Sequence, residues 1–306
     1  MMKQICNSRL RRSAALGGAL LLVCFTLQVS RAQDDRSRGI IPEEFLKARP
    51  PKAGAAAKAA AYKEVGASSG NSLAGVRGKN AAARELGVTI WRLRASTPTD
   101  HGARILVQEG VDTISWTPER VTSGTRLRTA DRVRLSIESP QTGFLYVIDR
   151  EQYAPNKLGE PNLIFPTTRT HNGDNHVSAG HIVEIPAQDD RPSYFTLRPT
   201  HSDQVGEQLT LLVTEKPIED LNIGPKAVVL PEGQVAKWEK DWGNKVQRFE
   251  MVGGGGKAWT KAEQEAGADA TRLLTQDDPG PQTIYRVSTK PEEPILVNLK
   301  LVYGTH

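Results

Sequence analysis

From Asp131 to Pro166 polar and apolar positions alternate with a period of two. Val133, Leu135 and Ile137 are interleaved with Arg132, Arg134, Ser136 and Glu138, the pattern of a strand with one buried face. Pro140 and Gly143 bracket a short turn, and residues 144–148 form a second run of aromatic and β-branched side chains. The two runs predict a β-hairpin. Leu163, Ile164 and Phe165 predict a third strand beyond a polar loop.

The same short apolar runs recur at 88–93, 104–108, 116–121, 125–127, 181–185, 194–197 and 208–214, separated by Pro, Gly, Asn or Asp. That spacing predicts an all-β sandwich or barrel. The absence of a sustained helical period across these residues argues against a doubly wound parallel sheet. The C-terminal third changes character. Val235, Trp238 and Trp242 fall on one face of a helix that Gly243 stops. Thr260-Lys261-Ala262-Glu263 is a capping box, predicted to open a helix reaching Leu274. Residues 246–252, 284–287 and 295–303 read as strands. The expected fold is therefore mainly β: a β-sandwich-like domain of short antiparallel strands, with two short helices in its C-terminal third, spanning residues 86–306.

Residues 1–32 read as a secretory signal. Lys3, Arg9, Arg11 and Arg12 precede an uncharged apolar segment at 14–29, and Ser30-Arg31-Ala32 offers small residues where a signal peptidase reads. The apolar segment falls short of the roughly 20 residues that span a bilayer, so cleavage near Ala32 leaves no transmembrane segment and an extracytoplasmic protein, periplasmic or secreted. Residues 33–85, with Pro50-Pro51 and an Ala-, Gly- and Ser-rich composition, read as a flexible linker, with a fleeting helix near 55–65.

Charge and cysteine content change with that cleavage. The whole chain carries a net +5. The signal holds five basic residues and no acidic ones, which leaves 35 basic against 35 acidic. A neutral mature chain gives no electrostatic case for nucleic acid. Both cysteines, Cys6 and Cys24, lie inside the signal, so the mature chain has no thiol nucleophile, disulfide or cysteine metal ligand.

The richest chemical cluster is His171, Asp174, His176 and His181. Imidazole with carboxylate is a sound metal set, and the four are weak metal candidates, because Asn172-Gly173 also suits a polar turn with positive φ. Asp189-Asp190 and Asp277-Asp278 each precede a turn proline, where aspartate commonly bonds backbone amides. Gly253 to Gly256 precede Lys257, but Ala258 stands where a phosphate loop needs Ser or Thr, so they read as a flexible connector. No GxSxG elbow is present. Trp91, Trp116, Trp238, Trp242 and Tyr146 read as core aromatics with a groove as the alternative. No catalytic residue, cofactor or committed metal ligand emerges from the residues.

The stretch RLRTADRVRLSIESPQTGFLYVIDREQY, followed by LIFP, AGHIVEIP and LLVTEKPI, resembles the domain of unknown function 4384 family. The resemblance covers residues 126–218, with 219–306 as a C-terminal extension. Ala130 stands where that family usually has glycine before the aspartate. The resemblance implies a compact β-sandwich-like accessory module without established catalytic residues. Together these readings lead to an expected non-enzymatic binding or envelope-associated module, with an unidentified protein or cell-envelope ligand and loops 150–162 and 167–180 as its contact surface. The alternatives are a metal-dependent hydrolase built on the His/Asp cluster and a structural assembly subunit.

Overall fold

The structure is a computed structural model that describes residues 44–51, 60–66, 82–100, 102–109, 112–155, 157–231, 233–243, 245–290 and 292–304. The expected signal at 1–32 and the spacer at 67–81 lie outside the described residues. The strands form two sheets. Nine belong to the first: β1 (Tyr62–Glu64), β2 (Ala82–Ala95), β3 (Ile105–Glu109), β4 (Asp112–Val121), β6 (Arg132–Glu138), β11 (Ile182–Ile185), β12 (Phe195–Thr196), β15 (Val246–Met251) and β16 (Thr283–Thr289). Eight make the second: β5 (Arg126–Leu127), β7 (Gly143–Tyr153), β8 (Lys157–Leu158), β9 (Asn162–Phe165), β10 (His176–Val177), β13 (Gln204–Thr214), β14 (Val228–Val229) and β17 (Ile295–Tyr303). Among the described residues every strand pairing is antiparallel except β17 with β5. Leu86, Val88, Val133, Leu135 and Ile137 of the first sheet meet Leu145, Val147, Leu211, Val213, Val297 and Leu299 of the second in one buried core. The expected mainly-β, sandwich-like fold is what forms, with two short helices, α1 (Gln234–Trp242) and α2 (Lys261–Gly267), in the C-terminal third.

The central prediction needs one correction. β6 and β7 are not a hairpin. β6 pairs with β2, β11 and β12, whereas β7 pairs with β8, β9, β10 and β13. The residues between them carry the chain from one sheet to the other. Alternation identifies a core-facing side, and two core-facing sides satisfy it equally well within one sheet or across the roughly 10 Å between sheets. The turn also lacks the Asn-Gly or Asp-Gly pair that closes a tight hairpin.

β2 is the hub of the first sheet. One edge of it pairs with β6 over Gly87–Leu93. Its other edge is shared, with Ala82–Val88 on β16 and Ile90–Ala95 on β4. The sheet forks there, and Thr89 closes the fork by accepting the amide of Gln282 on its hydroxyl at 2.8 Å.

Three further expectations change. The stretch 33–85 is not simply a linker: residues 44–51 dock on the domain, β1 pairs with β15, and β2 begins at Ala82. Phe45 and Tyr62 explain this, since both are buried against Phe249 and Ile284. The helix opened by the capping box stops at Gly267 rather than Leu274. A side chain at Gly267 would meet Glu184 Oε1 at 2.1 Å, and Leu274 is buried from a loop whose amide donates to the Gly180 carbonyl at 2.9 Å. The glycine run is a pinned turn rather than a free connector. Gly256 donates to the Arg120 carbonyl at 2.8 Å and Trp259 to that of Pro118 at 2.7 Å.

Candidate functional site

The predicted His/Asp cluster does not converge. His171 Nε2 lies 2.6 Å from the Glu184 carbonyl oxygen, and His181 Nδ1 lies 2.9 Å from that of Ala179. Asp174 accepts the His176 amide at 2.9 Å, and the His176 ring stands edge-on to Phe144. Among the described residues no group of three or more His, Cys, Asp or Glu is arranged to hold a metal ion. Asn172 and Gly173 do take positive φ, 54° and 85°, so the segment folds as the turn its sequence suits. Asp190 and Asp278 likewise serve the backbone, accepting the amides of Ala187 and Thr275.

The two loops expected to form one contact surface sit at opposite ends of β7. Residues 157–158 pair beside Gln152 and Tyr153, while 176–177 pair beside Gly143 and Phe144. An offset of nine strand residues separates those rows by roughly 30 Å.

A chemical site does build up on the outer face of the nine-stranded sheet, starting from the polar side of β6. Because Val133, Leu135 and Ile137 point into the core, Arg134, Ser136 and Glu138 point outward, and neighbouring chain covers all three. Arg134 Nη2 donates to Glu184 Oε2 at 2.7 Å, with the two side chains 2% and 3% exposed. Its guanidinium also donates to the Pro186 carbonyl at 3.0 Å and lies 5.6 Å from the Trp259 ring. Burial is the leading influence on both groups, lowering Arg134 and raising Glu184, and each partner opposes it. Arg120 Nε donates to Glu263 Oε1 at 2.9 Å, from α2, and the guanidinium lies 5.1 Å from the Trp91 ring. Trp91 Nε1 in turn donates to Ser136 Oγ at 2.8 Å.

The third pair comes from outside the sandwich. Arg49, in the docked stretch 44–51, enters a socket formed by Glu138 and the loop 275–281. Its Nε and Nη2 reach the two oxygens of Glu138 at 2.9 and 2.6 Å. Nη1 donates to the Asp278 carbonyl at 2.8 Å, and Nη2 also reaches that of Pro279 at 3.3 Å. Bidentate pairing plus backbone carbonyls matches the fixed fork of a guanidinium and would not suit lysine. Gln276 holds the segment's main chain, donating through Nε2 to the carbonyls of Lys47 and Arg49 at 3.1 and 2.9 Å. Gly87 lets the segment lie flat: a Cβ there would come within 3.0 Å of Phe45 Cζ and 2.9 Å of Pro281 Cγ.

Sequence reasoning missed this face because alternating Arg, Arg, Ser and Glu looks like a solvent side. It also missed Asp149 and Glu207, two carboxylates on the core side of the eight-stranded sheet. Glu207 accepts the Tyr303 hydroxyl and Gln204 Nε2, the latter at 2.7 Å. Asp149 Oδ1 and Glu207 Oε2 are buried without a donor. Burial first, then Glu207 and Glu151, pushes Asp149 up to about 8. The readable signal was phase: Asp149 follows Leu145 and Val147 at intervals of two, and Glu207 precedes Leu209 and Leu211 in the same way.

Of the aromatic residues singled out, Trp91, Trp238 and Tyr146 are buried. Trp116 is half-buried, with the Arg132 guanidinium held between its ring at 4.2 Å and that of Tyr194 at 4.5 Å. Among the described residues no helix is long and apolar enough to cross a membrane. Comparison of the chain with protein-family models, with curated proteins and with solved structures finds no match.

Proposed function

We propose that this is an exported, non-enzymatic binding module associated with the cell envelope. The observation that carries the reading is the Arg49 socket, in which the sheet and the 275–281 loop hold a short chain segment through a single arginine fork. A guanidinium fork of this kind holds a chain segment by shape and charge, which supports a binding role. The signal-like residues 1–32 support export. The resemblance read in residues 126–218 to domain of unknown function 4384 modules would imply an accessory role. The metal-dependent hydrolase draws no support from the geometry, because among the described residues His171, Asp174, His176 and His181 do not come together as a metal-holding group.

The test is a thermal-shift screen of the mature chain against divalent metals, glycans and peptidoglycan fragments. A ligand that binds only the folded state raises the melting temperature by mass action. The expected result is a rise with an envelope fragment that chelator leaves unchanged. A rise with divalent metal alone, lost in His176→Ala, would replace this reading with the metal-site one.

A further inference from the structure

We propose that Asp149 and Glu207 share a single proton, which closes the β7–β13–β17 end of the sandwich in a pH-dependent way. The strand register brings the two together. Asp149 pairs with Leu209, and Glu151 with Glu207, so Asp149 and Glu207 are diagonal neighbours across β7 and β13. Such neighbours stand roughly 7–8 Å apart at the backbone, within reach of two carboxylate side chains on one face. That face is the core side, where Leu209 and Leu211 are buried. Glu207 is 7% exposed, and its Oε2 and the Oδ1 of Asp149 are both buried with no donor.

The donors around the pair are already committed. Tyr303 and Gln204 donate to the other oxygen of Glu207. The hydroxyls of Tyr153 and Thr200 donate to Glu151. Asn162, opposite Asp149 on β9, gives its Nδ2 to the Glu160 carbonyl at 3.0 Å. Arg150 turns to Glu239 on the outer face. Arg126, Lys157, Arg198 and Lys300 on the flanking elements are exposed, as are His201 and Asp203 in the loop that closes this end. Two orphan acceptors side by side need one hydrogen between them, and a carboxyl–carboxylate pair supplies it.

Charge leads to the same arrangement. Glu151 lies directly opposite Glu207, so full ionisation would put three negative charges on one face, and close carboxylates out of water cannot all ionise. Burial first, then Glu207 and Glu151, raises Asp149 to about 8. Burial also raises Glu207, against its bonds from Tyr303 and Gln204. The two titrate as a unit. The folded state keeps their proton at neutral pH and the unfolded chain does not, so the closure weakens as pH rises toward 8.

The test is a pH series of melting temperatures for the full chain, Asp149→Asn, Glu207→Gln and the double variant, with the infrared carbonyl band of protonated carboxyl groups recorded alongside. Each amide replaces the shared proton with an N–H donor of its own. Either single change should therefore abolish the acid-favoured slope between about pH 5 and 8 and remove the same increment of the infrared band at neutral pH. The double variant should add nothing further. Glu85, which burial raises to about 7, contributes equally to all four proteins and cancels in the differences. If Glu207→Gln keeps both the slope and the band, and only Asp149→Asn removes them, the proton belongs to Asp149 alone and sharing is wrong. The unmodified chain gives a reading free of substitutions: a protonated carboxyl should persist after Glu85 has titrated and disappear as pH passes about 8. Its absence there would mean that no proton sits between the two carboxyls.

Discussion

The two outer faces of the sandwich are covered by opposite means. On the eight-stranded sheet, α1 lays Val235 and Trp238 on Tyr146, Ile148, Leu212 and Leu296, with Trp242 stacked on Trp238 at 5.8 Å. Its ion pair, Arg150 with Glu239, sits at the rim. On the nine-stranded sheet the cover is held by Arg134–Glu184, Arg120–Glu263 and Arg49–Glu138, all largely buried. Apolar burial is undirected and grows with area. A buried ion pair adds little net stability, yet losing one partner is expensive. The first face is closed by a hydrophobic lid. The second is closed by parts that must match.

The largest expected effect breaks that contrast directly. Glu184→Ala leaves Arg134 charged and unpaired in a dry site and should cost about 3–5 kcal/mol. The double change Arg134→Met with Glu184→Leu should return most of it, because two apolar groups need no partner. Trp238→Ala should cost about 3–5 kcal/mol as well, through lost burial and a cavity, but no second substitution elsewhere should restore it. Denaturant midpoints of the four proteins decide this. If the double variant is no better than Glu184→Ala alone, the ion-paired face is not governed by charge matching.

A smaller effect distinguishes fixed from removable ion pairs. Glu138→Ala strands Arg49, but Arg49 sits on the docked arm, residues 44–51, whereas Arg134 belongs to the sheet strand β6. If the arm undocks, Arg49 returns to water and the loss should fall below the roughly 3–5 kcal/mol expected of Glu184→Ala. The arm should become a protease target while the body stays folded. Equal losses in Glu138→Ala and Glu184→Ala, with the arm still protected, would show that both pairs are equally fixed.

Asp149 offers the case of a buried carboxyl, one of whose oxygens finds no donor. Its folded value is raised from the usual 3.8 to about 8, so between those values the folded state holds a proton that the unfolded chain has released. Its stabilisation is complete below about pH 4 and disappears as pH rises to about 8. Asp278 has the opposite sign: burial works against its charge, but Thr275 and Arg272 outweigh that and hold the carboxyl below the usual range, so its contribution is lost only in acid. Melting temperature should climb as pH falls from 8 toward 5, and Asp149→Asn should flatten that slope. An unchanged slope would remove Asp149 as its source.

How much of this was legible depended on which force placed each residue. Core-facing positions of β6, β7, β13 and β17 alternate plainly, and α1 shows Val235, Trp238 and Trp242 at helical spacing, because apolar burial imprints a local period. The capping box at Thr260 was legible for the same reason, being a local contact. The ion-paired face was not. Arg49 and Glu138 are 89 residues apart, and Arg120 and Glu263 are 143 apart. A charged side chain looks the same in sequence whether water or a distant carboxylate faces it. The β6–β7 crossing was hidden likewise, since period two marks a buried side without saying what lies opposite.

The smallest effect supplies the reference for all the others. Ala130 holds φ at +70° just before β6, donating its amide to the Leu197 carbonyl at 2.8 Å. That is the left-handed region, which costs a residue with a Cβ roughly 1–2 kcal/mol. Glycine pays less there but loses more freedom on folding, so Ala130→Gly should stabilise by only about 0.5–1 kcal/mol. The change leaves the side chains covering both outer faces untouched. Its gain should therefore add unchanged to Trp238→Ala and to Glu138→Ala, as expected for sites without shared partners. A gain that persists with Trp238→Ala and shrinks with Glu138→Ala would mean that β6 backbone strain and the arm's ion pair are coupled, and that the ion-paired face is held partly by the strand beneath it.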